Sequence, residues 1–306
     1  MNSHWINENV GVIDTVGLGY EGAIASYVVR GSRGAALVDV GHAATARNVV
    51  DGARALGVDP RSIEYLFITH HHMDHMGAVP HILKELPEAR VVVQEDSIRF
   101  LVEPSRLVQA TYEVFGDEYV PRIGSMPPTP PERIEPLRED GSYDLGGLTI
   151  RPLYTPGHTP SHTSFYLEEL SAVFTGDTVC LSRAGLPILL PAASPPMIEV
   201  KSAVASLDKI RSLRPKLLLM PHFGHVDYSD EFLERNKETI IHFNDRVSEL
   251  FSRGMKSEEI ASELRKELLQ ELSGLNIDEF TRKVMLGKFL DVTVMGYVGA
   301  LLRRRK

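Results

Sequence analysis

The segment Thr69-His70-His71-His72-Met73-Asp74-His75-Met76-Gly77 gathers four imidazoles and a carboxylate into nine residues. Imidazole and carboxylate donors suit Zn²⁺, iron or Mn²⁺ rather than Ca²⁺. With 12 His in the chain, the order His70-x-His72-x-Asp74-His75 arises by chance in roughly one such sequence in a thousand. A loop of merely solvated histidines has no reason to cap the apolar run Tyr65-Leu66-Phe67-Ile68. A ligand site does, because ligands favour the ends of buried strands.

Four donors on one short loop do not fit comfortably around one ion. The alternation of His70 and His72 points two side chains one way, while adjacent Asp74 and His75 project elsewhere as the chain turns. Two ions, each completed from distant sequence, suit that geometry. Three strand ends offer further donors. Thr155-Pro156-Gly157-His158 sets a histidine after a sharp glycine turn, and Thr175-Gly176-Asp177 ends on an acid suited to bridging two cations. Pro221-His222-Phe223-Gly224-His225 adds two more imidazoles.

The elements that must hold these residues follow an α/β order. Strands are expected at 10–13, 26–29 and 35–40, then a helix at 43–56, a strand at 65–68, a helix near 77–86 and a strand at 91–93. The second half repeats the theme, with strands at 148–154, 164–167, 172–175 and 217–220 and a helix at 198–213. Six prolines between 121 and 136 predict an extended insertion. Residues 185–196 form an apolar loop. Beyond 228 the pattern is helical: Ser229 caps a stripe of Leu233, Ile240, Phe243, Val247 and Leu250, a second helix starts at Ser257, and a third covers 278–302. The expected organisation is a catalytic domain at 1–228 with a helical extension at 229–306 packed on it.

Composition narrows the function classes. The 33 Lys+Arg against 41 Asp+Glu give a net charge of -8, so no nucleic-acid partner is expected. The basic tail Arg303-Arg304-Arg305-Lys306 reads as a solvated helix end. No apolar run is expected to reach the roughly 18 residues of a membrane span, and the start lacks the layout of a secretory signal. A cytoplasmic protein without a membrane partner is the expectation. Cys180, the one cysteine, excludes a disulfide framework and reads as a small buried residue. Seven Asn and three Gln point towards a hot habitat.

Together, Thr69–Gly77, Thr155-Pro156-Gly157-His158, Thr175-Gly176-Asp177 and Pro221-His222-Phe223-Gly224 resemble the metallo-β-lactamase superfamily of metal-dependent hydrolases, over about residues 10–226. The resemblance implies a four-layer αββα sandwich with a binuclear site at one edge. It implies two divalent transition-metal ions, zinc first and iron next. One ion would take His70, His72 and His158, the other Asp74, His75 and His222, and Asp177 would bridge both. His222 and His225 compete for one role, and the family's Pro-His-x-Gly pattern favours His222. Asp39 matches a family acid that orients a ligand histidine, and reads equally as a strand-end turn former. His71 and His162 fall outside the ligand set.

The activity so implied is hydrolysis of a small-molecule ester by a metal-bound hydroxide, with Asp74 and Asp177 as catalytic carboxylates. Lactones, thioesters, carboxylesters and phosphoesters all fit. The alternative is a persulfide dioxygenase using one iron. The family's diiron oxygen reductases carry Glu where this chain has His72, and add a flavodoxin domain. The loop at 185–196 and the insert at 102–140, with Tyr112, Phe115 and Tyr119, read equally as pocket walls or as packing against the C-terminal helices. Gly296, Gly299 and Ala300 would permit close approach to a neighbour, within the chain or in a homo-oligomer.

Overall fold

The computed structural model describes residues 3–138, 141–183 and 185–304. Two compact units interleave along the chain. The first comprises the segment up to Tyr154, Ser161–Gly176 and Pro215–Asp227; the second comprises Thr155–Pro160, Asp177–Arg214 and the segment from Tyr228 onward. The chain therefore changes unit five times, and the C-terminal helices share theirs with two earlier stretches.

Strands β1 (His4–Trp5), β2 (Val10–Asp14), β3 (Ala25–Arg30), β4 (Ala35–Val38), β5 (Ile63–Phe67), β6 (Arg90–Val93) and β7 (Ile134–Pro136) lie side by side in that order in a seven-stranded sheet. The first four are antiparallel and the rest run parallel to β4. Next come β8 (Tyr143–Asp144), β9 (Thr149–Tyr154), β10 (Thr163–Leu167) and β11 (Ala172–Phe174), then the small hairpin β12 (Leu181–Ser182) and β13 (Leu189–Leu190), and finally β14 (Leu217–Leu219) and β15 (His225–Asp227). The second large sheet has the order β15-β14-β11-β10-β9-β8.

Both large sheets belong to the first unit, and period-2 alternation explains their packing. Val10, Val12, Tyr27, Val29, Val38 and Phe67 meet Ile150, Phe165, Phe174 and Leu219 in one buried core. The other face of the first sheet carries Ile13. A Cβ on Gly52 of helix α1 (Ala46–Ala55) would stand 2.4 Å from Ile13 Cγ2, so the helix lies directly on that face. Helix, sheet and sheet are thus three successive layers.

The helix expected near 77–86 is the short α3 (Val79–Ile82), and another short helix, α2 (Met73–Met76), precedes the expected span. Pro80 sits in the first turn of α3, where its missing N–H is harmless. Two unanticipated helices follow, α4 (Glu95–Val102) and α5 (Ser105–Phe115), and then α6 (Val120–Ile123). The proline-rich stretch is not simply extended: it supplies α6 and strand β7, whose Pro136 is tolerated at a sheet edge.

The second unit contains α7 (Val200–Ser212), α8 (Asp230–Ser252), α9 (Ser257–Glu271) and α10 (Leu290–Arg304). Ser229 Oγ accepts from Phe232 N at 3.0 Å, capping α8, and the expected stripe from Leu233 to Leu250 is buried. Tyr297 of α10 donates to Ile240 O at 3.1 Å. The apolar loop is held by α10: Thr293 Oγ1 donates to Pro191 O at 2.9 Å, and a Cβ on Gly299 would stand 1.9 Å from Pro196 O. Of the two roles expected for that loop, packing on a C-terminal helix is present within this unit. Before α10, Thr281–Phe289 is π-helical, and Arg265 of α9 donates to Leu286 O at 2.7 Å and pairs with Asp291. Contrary to the sequence expectation, the continuous stretch Thr281–Arg304 is long and apolar enough to cross a membrane by composition. Its most apolar window is 67% buried inside the protein, as a core helix requires.

Candidate metal centre

Parallel neighbours β4 and β5 end at the same edge, and the chemistry begins there. Val38 leads into Asp39, which adopts φ 49°, a left-handed conformation that Asp tolerates better than most residues. From that position Oδ1 accepts Thr69 N at 2.9 Å and Oδ2 accepts Thr69 Oγ1 at 2.9 Å. Oδ2 also lies 2.8 Å from His75 Nδ1. A carboxylate only accepts, so the imidazole proton stays on Nδ1 and the Nε2 lone pair is left for a ligand. His75 Nε2 faces Asp74 Oδ2 at 3.7 Å, and His222 Nε2 lies 3.7 Å from the same oxygen. Asp74, His75 and His222 each offer a ligand atom within 4.8 Å of the others.

His222 is placed by the turn between β14 and β15. Met220 N donates to Gly224 O at 2.9 Å, and Phe223 (φ 72°) and Gly224 (φ 109°) reverse the chain. His225 opens β15 with its side chain exposed. His70 Nδ1 lies 3.0 Å from Thr69 Oγ1; because that hydroxyl already donates to Asp39, the imidazole donates to it and keeps its lone pair on Nε2. His70 Nε2 approaches His72 Nδ1 to 2.9 Å. His162 is fully buried, 5.1 Å from the His70 ring between centroids. His71 turns onto the Phe100 ring at 4.3 Å, nearly parallel, with Ser161 Oγ 3.5 Å from its Nδ1. The first unit thus brings together His70 with His72, and Asp74 with His75 and His222.

The other two candidates lie in the second unit. Gly157 adopts φ 144°, and a Cβ there would stand 2.4 Å from the Ala203 backbone, so only glycine lets the chain pass α7. His158 Nδ1 then donates to Ala192 O at 2.9 Å, and its Nε2 lies 3.3 Å from Asp177 Oδ2. Both side chains are buried.

The model of the family described as the metallo-beta-lactamase superfamily matches residues 19–222. The chain belongs to the metallo-β-lactamase superfamily. It is 29% identical over 167 residues to a metallo-beta-lactamase fold-containing protein, ST1585, of Sulfurisphaera tokodaii, covering 54% of this chain and 62% of that one. It is 31% identical over 117 residues to an atrochrysone carboxyl ACP thioesterase of Aspergillus fumigatus, covering 38% of this chain and 28% of the relative. The chain spans less than two thirds of either relative's length. The crystal structure of the archaeal superfamily protein ST1585 from Sulfolobus tokodaii superposes with a TM-score of 0.67 at 22% identity, over 95% of this chain and 99% of that one. The fold is therefore the α/β fold of metallo-β-lactamase structures, as expected.

The donor set of this superfamily member fits a divalent transition metal. Ring nitrogens and a carboxylate oxygen converge on buried His75 and half-buried Asp74 and His222, the trio contains no ammonium or guanidinium group, and the 2.9 Å approach of two ring nitrogens at His70 and His72 suits a shared cation.

One neighbour had no sequence signal beyond following Asp39-Val40-Gly41. His42 is buried, its Nδ1 has no hydrogen-bond partner among the described residues, and burial lowers its pKa to about 4, opposed in part by Asp74 and reinforced by His75 and His222. Cys180 is buried as expected; burial pushes its thiol well up, and its N donates to Asn236 Oδ1 at 2.6 Å.

Proposed function

We propose that this chain is a binuclear metal-dependent hydrolase of small-molecule esters, with thioesters the first bond type to assay. The observation that carries this reading is a repeated device. His75 and His158 each give an Nδ1 proton to an oxygen acceptor and turn Nε2 towards a carboxylate, of Asp74 and Asp177 respectively. That is how metal-ligating imidazoles are oriented. Asp74, His75 and His222 would hold one ion. His70 with His72, and His158 with Asp177, are two donor pairs, neither of which fills a four-coordinate shell alone. Together His70, His72, His158 and Asp177 would hold a second ion.

Bound ions would lower the pKa of a water towards about 7 and polarise the ester carbonyl. The protein's part is to orient and to move protons. Asp39 keeps the His75 proton on Nδ1, and the Ala192 carbonyl does the same for His158. Asp74, with its side chain 19% exposed, would orient an attacking water and pass its proton to the leaving group. The thioesterase name of the Aspergillus fumigatus relative supports an acyl substrate.

A second reading has one observation in its favour. Two imidazoles and one carboxylate, as in Asp74, His75 and His222, also suit a mononuclear iron oxygenase. Metal analysis paired with a panel of thioester, lactone, carboxylester and phosphoester substrates separates the two. About two ions per chain and ester cleavage lost on chelation support the hydrolase; one iron with oxygen uptake overturns it.

A further inference from the structure

Tyr27 sits in the middle of β3, in the first sheet, with its ring in the core between the two sheets and edge-on to Phe174 at 5.5 Å. Its hydroxyl reaches across the sandwich to the β14–β15 turn. There the single phenolic hydrogen is shared between Met220 O at 2.8 Å and Gly224 O at 2.5 Å, the carbonyls that bracket His222. Two residues earlier on the strand, Ala25 N donates to Pro221 O at 2.7 Å. The turn itself holds two consecutive residues at positive φ, Phe223 and Gly224. A non-glycine residue pays a steric cost there, so such a turn needs external support. Deep burial drives the phenol pKa far up, so this donor keeps its hydrogen.

We infer that Tyr27 is a positioning residue for the ion at Asp74, His75 and His222: a strut from the opposite sheet that sets the turn carrying His222 and thereby the affinity of that site. This rests on the binuclear reading above. It distinguishes Tyr27 from Tyr143, a phenol buried in the same core, which packs on Phe67 at 5.0 Å and whose hydroxyl has no hydrogen-bond partner among the described residues.

Tyr27→Phe keeps the ring and its packing and removes only the hydroxyl; Tyr143→Phe is the matched control. The first measurement is amide hydrogen exchange on the metal-free proteins. Exchange at residues 220–225 should rise at least tenfold in Tyr27→Phe, with β3 and β10 unchanged, and stay at the wild-type rate in Tyr143→Phe. The second is stepwise Zn²⁺ and Co²⁺ titration. Affinity for one ion should fall by about 10–100-fold, the range seen when a ligand's support is removed, while the other ion binds within about threefold of wild type. Unchanged exchange at 220–225, or equal weakening of both ions, overturns the proposal. Faster exchange in a wild-type background that takes only one ion supports the strut and overturns the binuclear reading instead.

Discussion

His75 and His158 solve one problem by different means. Both imidazoles must keep a proton on Nδ1 and leave Nε2 for a ligand role. In the first unit the acceptor is Asp39, a buried carboxylate beside the strand that carries the loop, which also ties down Thr69. In the second unit the acceptor is the backbone carbonyl of Ala192, and the loop bearing it is held by Thr293 and the glycines of α10. A charged acceptor makes the stronger hydrogen bond and is set by one side chain. A carbonyl acceptor is only as well placed as its loop. The first histidine is therefore sensitive to local chemistry, and the second to the packing of a helix far along the chain, at Thr293 and Gly299.

The largest effects are expected at the proposed ligands. His72→Ala and Asp177→Ala should each lower hydrolysis by about 10³-fold or more while the circular dichroism spectrum persists, because each removes a charge-bearing or ligating atom from the reacting centre. Wild-type turnover in both would break the comparison at its root. Next, Asp39→Asn should weaken metal binding by about 10–100-fold, with the larger loss at the ion held by Asp74, His75 and His222, since Asp39 reaches His70 only through Thr69. Gly299→Val should cost about 1–3 kcal/mol of stability by overpacking against Pro196, read as a lower melting temperature, and weaken the other ion. A destabilised Gly299→Val protein with both ions at wild-type affinity would show that the helix does not govern His158.

Smaller still is a pH effect at His42. Its folded pKa of about 4 lies below the ordinary 6.5, so the unfolded chain takes up the proton first as pH falls. Stability of the metal-free protein should then decline from pH 6.5 to 4 and recover as pH rises. His42→Gln should flatten that slope in urea unfolding at pH 4.5, 5.5 and 7. Smallest of all, His71→Ala and His225→Ala should leave turnover within about threefold, since one stacks on Phe100 and the other is exposed on β15.

Much of this was legible in the residues, for identifiable reasons. The donors lie at the ends of apolar strands, so motif and periodicity reinforced each other at His70–His75 and at Asp177. Ser229 announced α8 because a cap is a local signal. Strand β7 was hidden, because six prolines argue against regular structure and only a sheet edge makes Pro136 acceptable. Helix α5 was missed because its stretch reads as part of an insert, as pocket wall or packing, and not as an element; none of its residues is buried. Tyr27 and His42 were invisible for a deeper reason. In sequence, Tyr27 is one more alternating aromatic residue, and only the register of β3 and the closure of the sandwich bring its hydroxyl to a turn 193 residues away.

The interleaving of the two units also sets an order of assembly. The first unit lacks β14 and β15 until Pro215–Asp227 has been made, so during synthesis the His70–His75 loop emerges well before His222. The acceptor loop for His158 gains its support later still, when α10 appears near the end of the chain. At about 5–20 residues per second, the nascent protein spends many seconds displaying imidazoles with their partners missing. Such a chain would bind stray metal in incomplete sets, so correct loading belongs after α10 has been made.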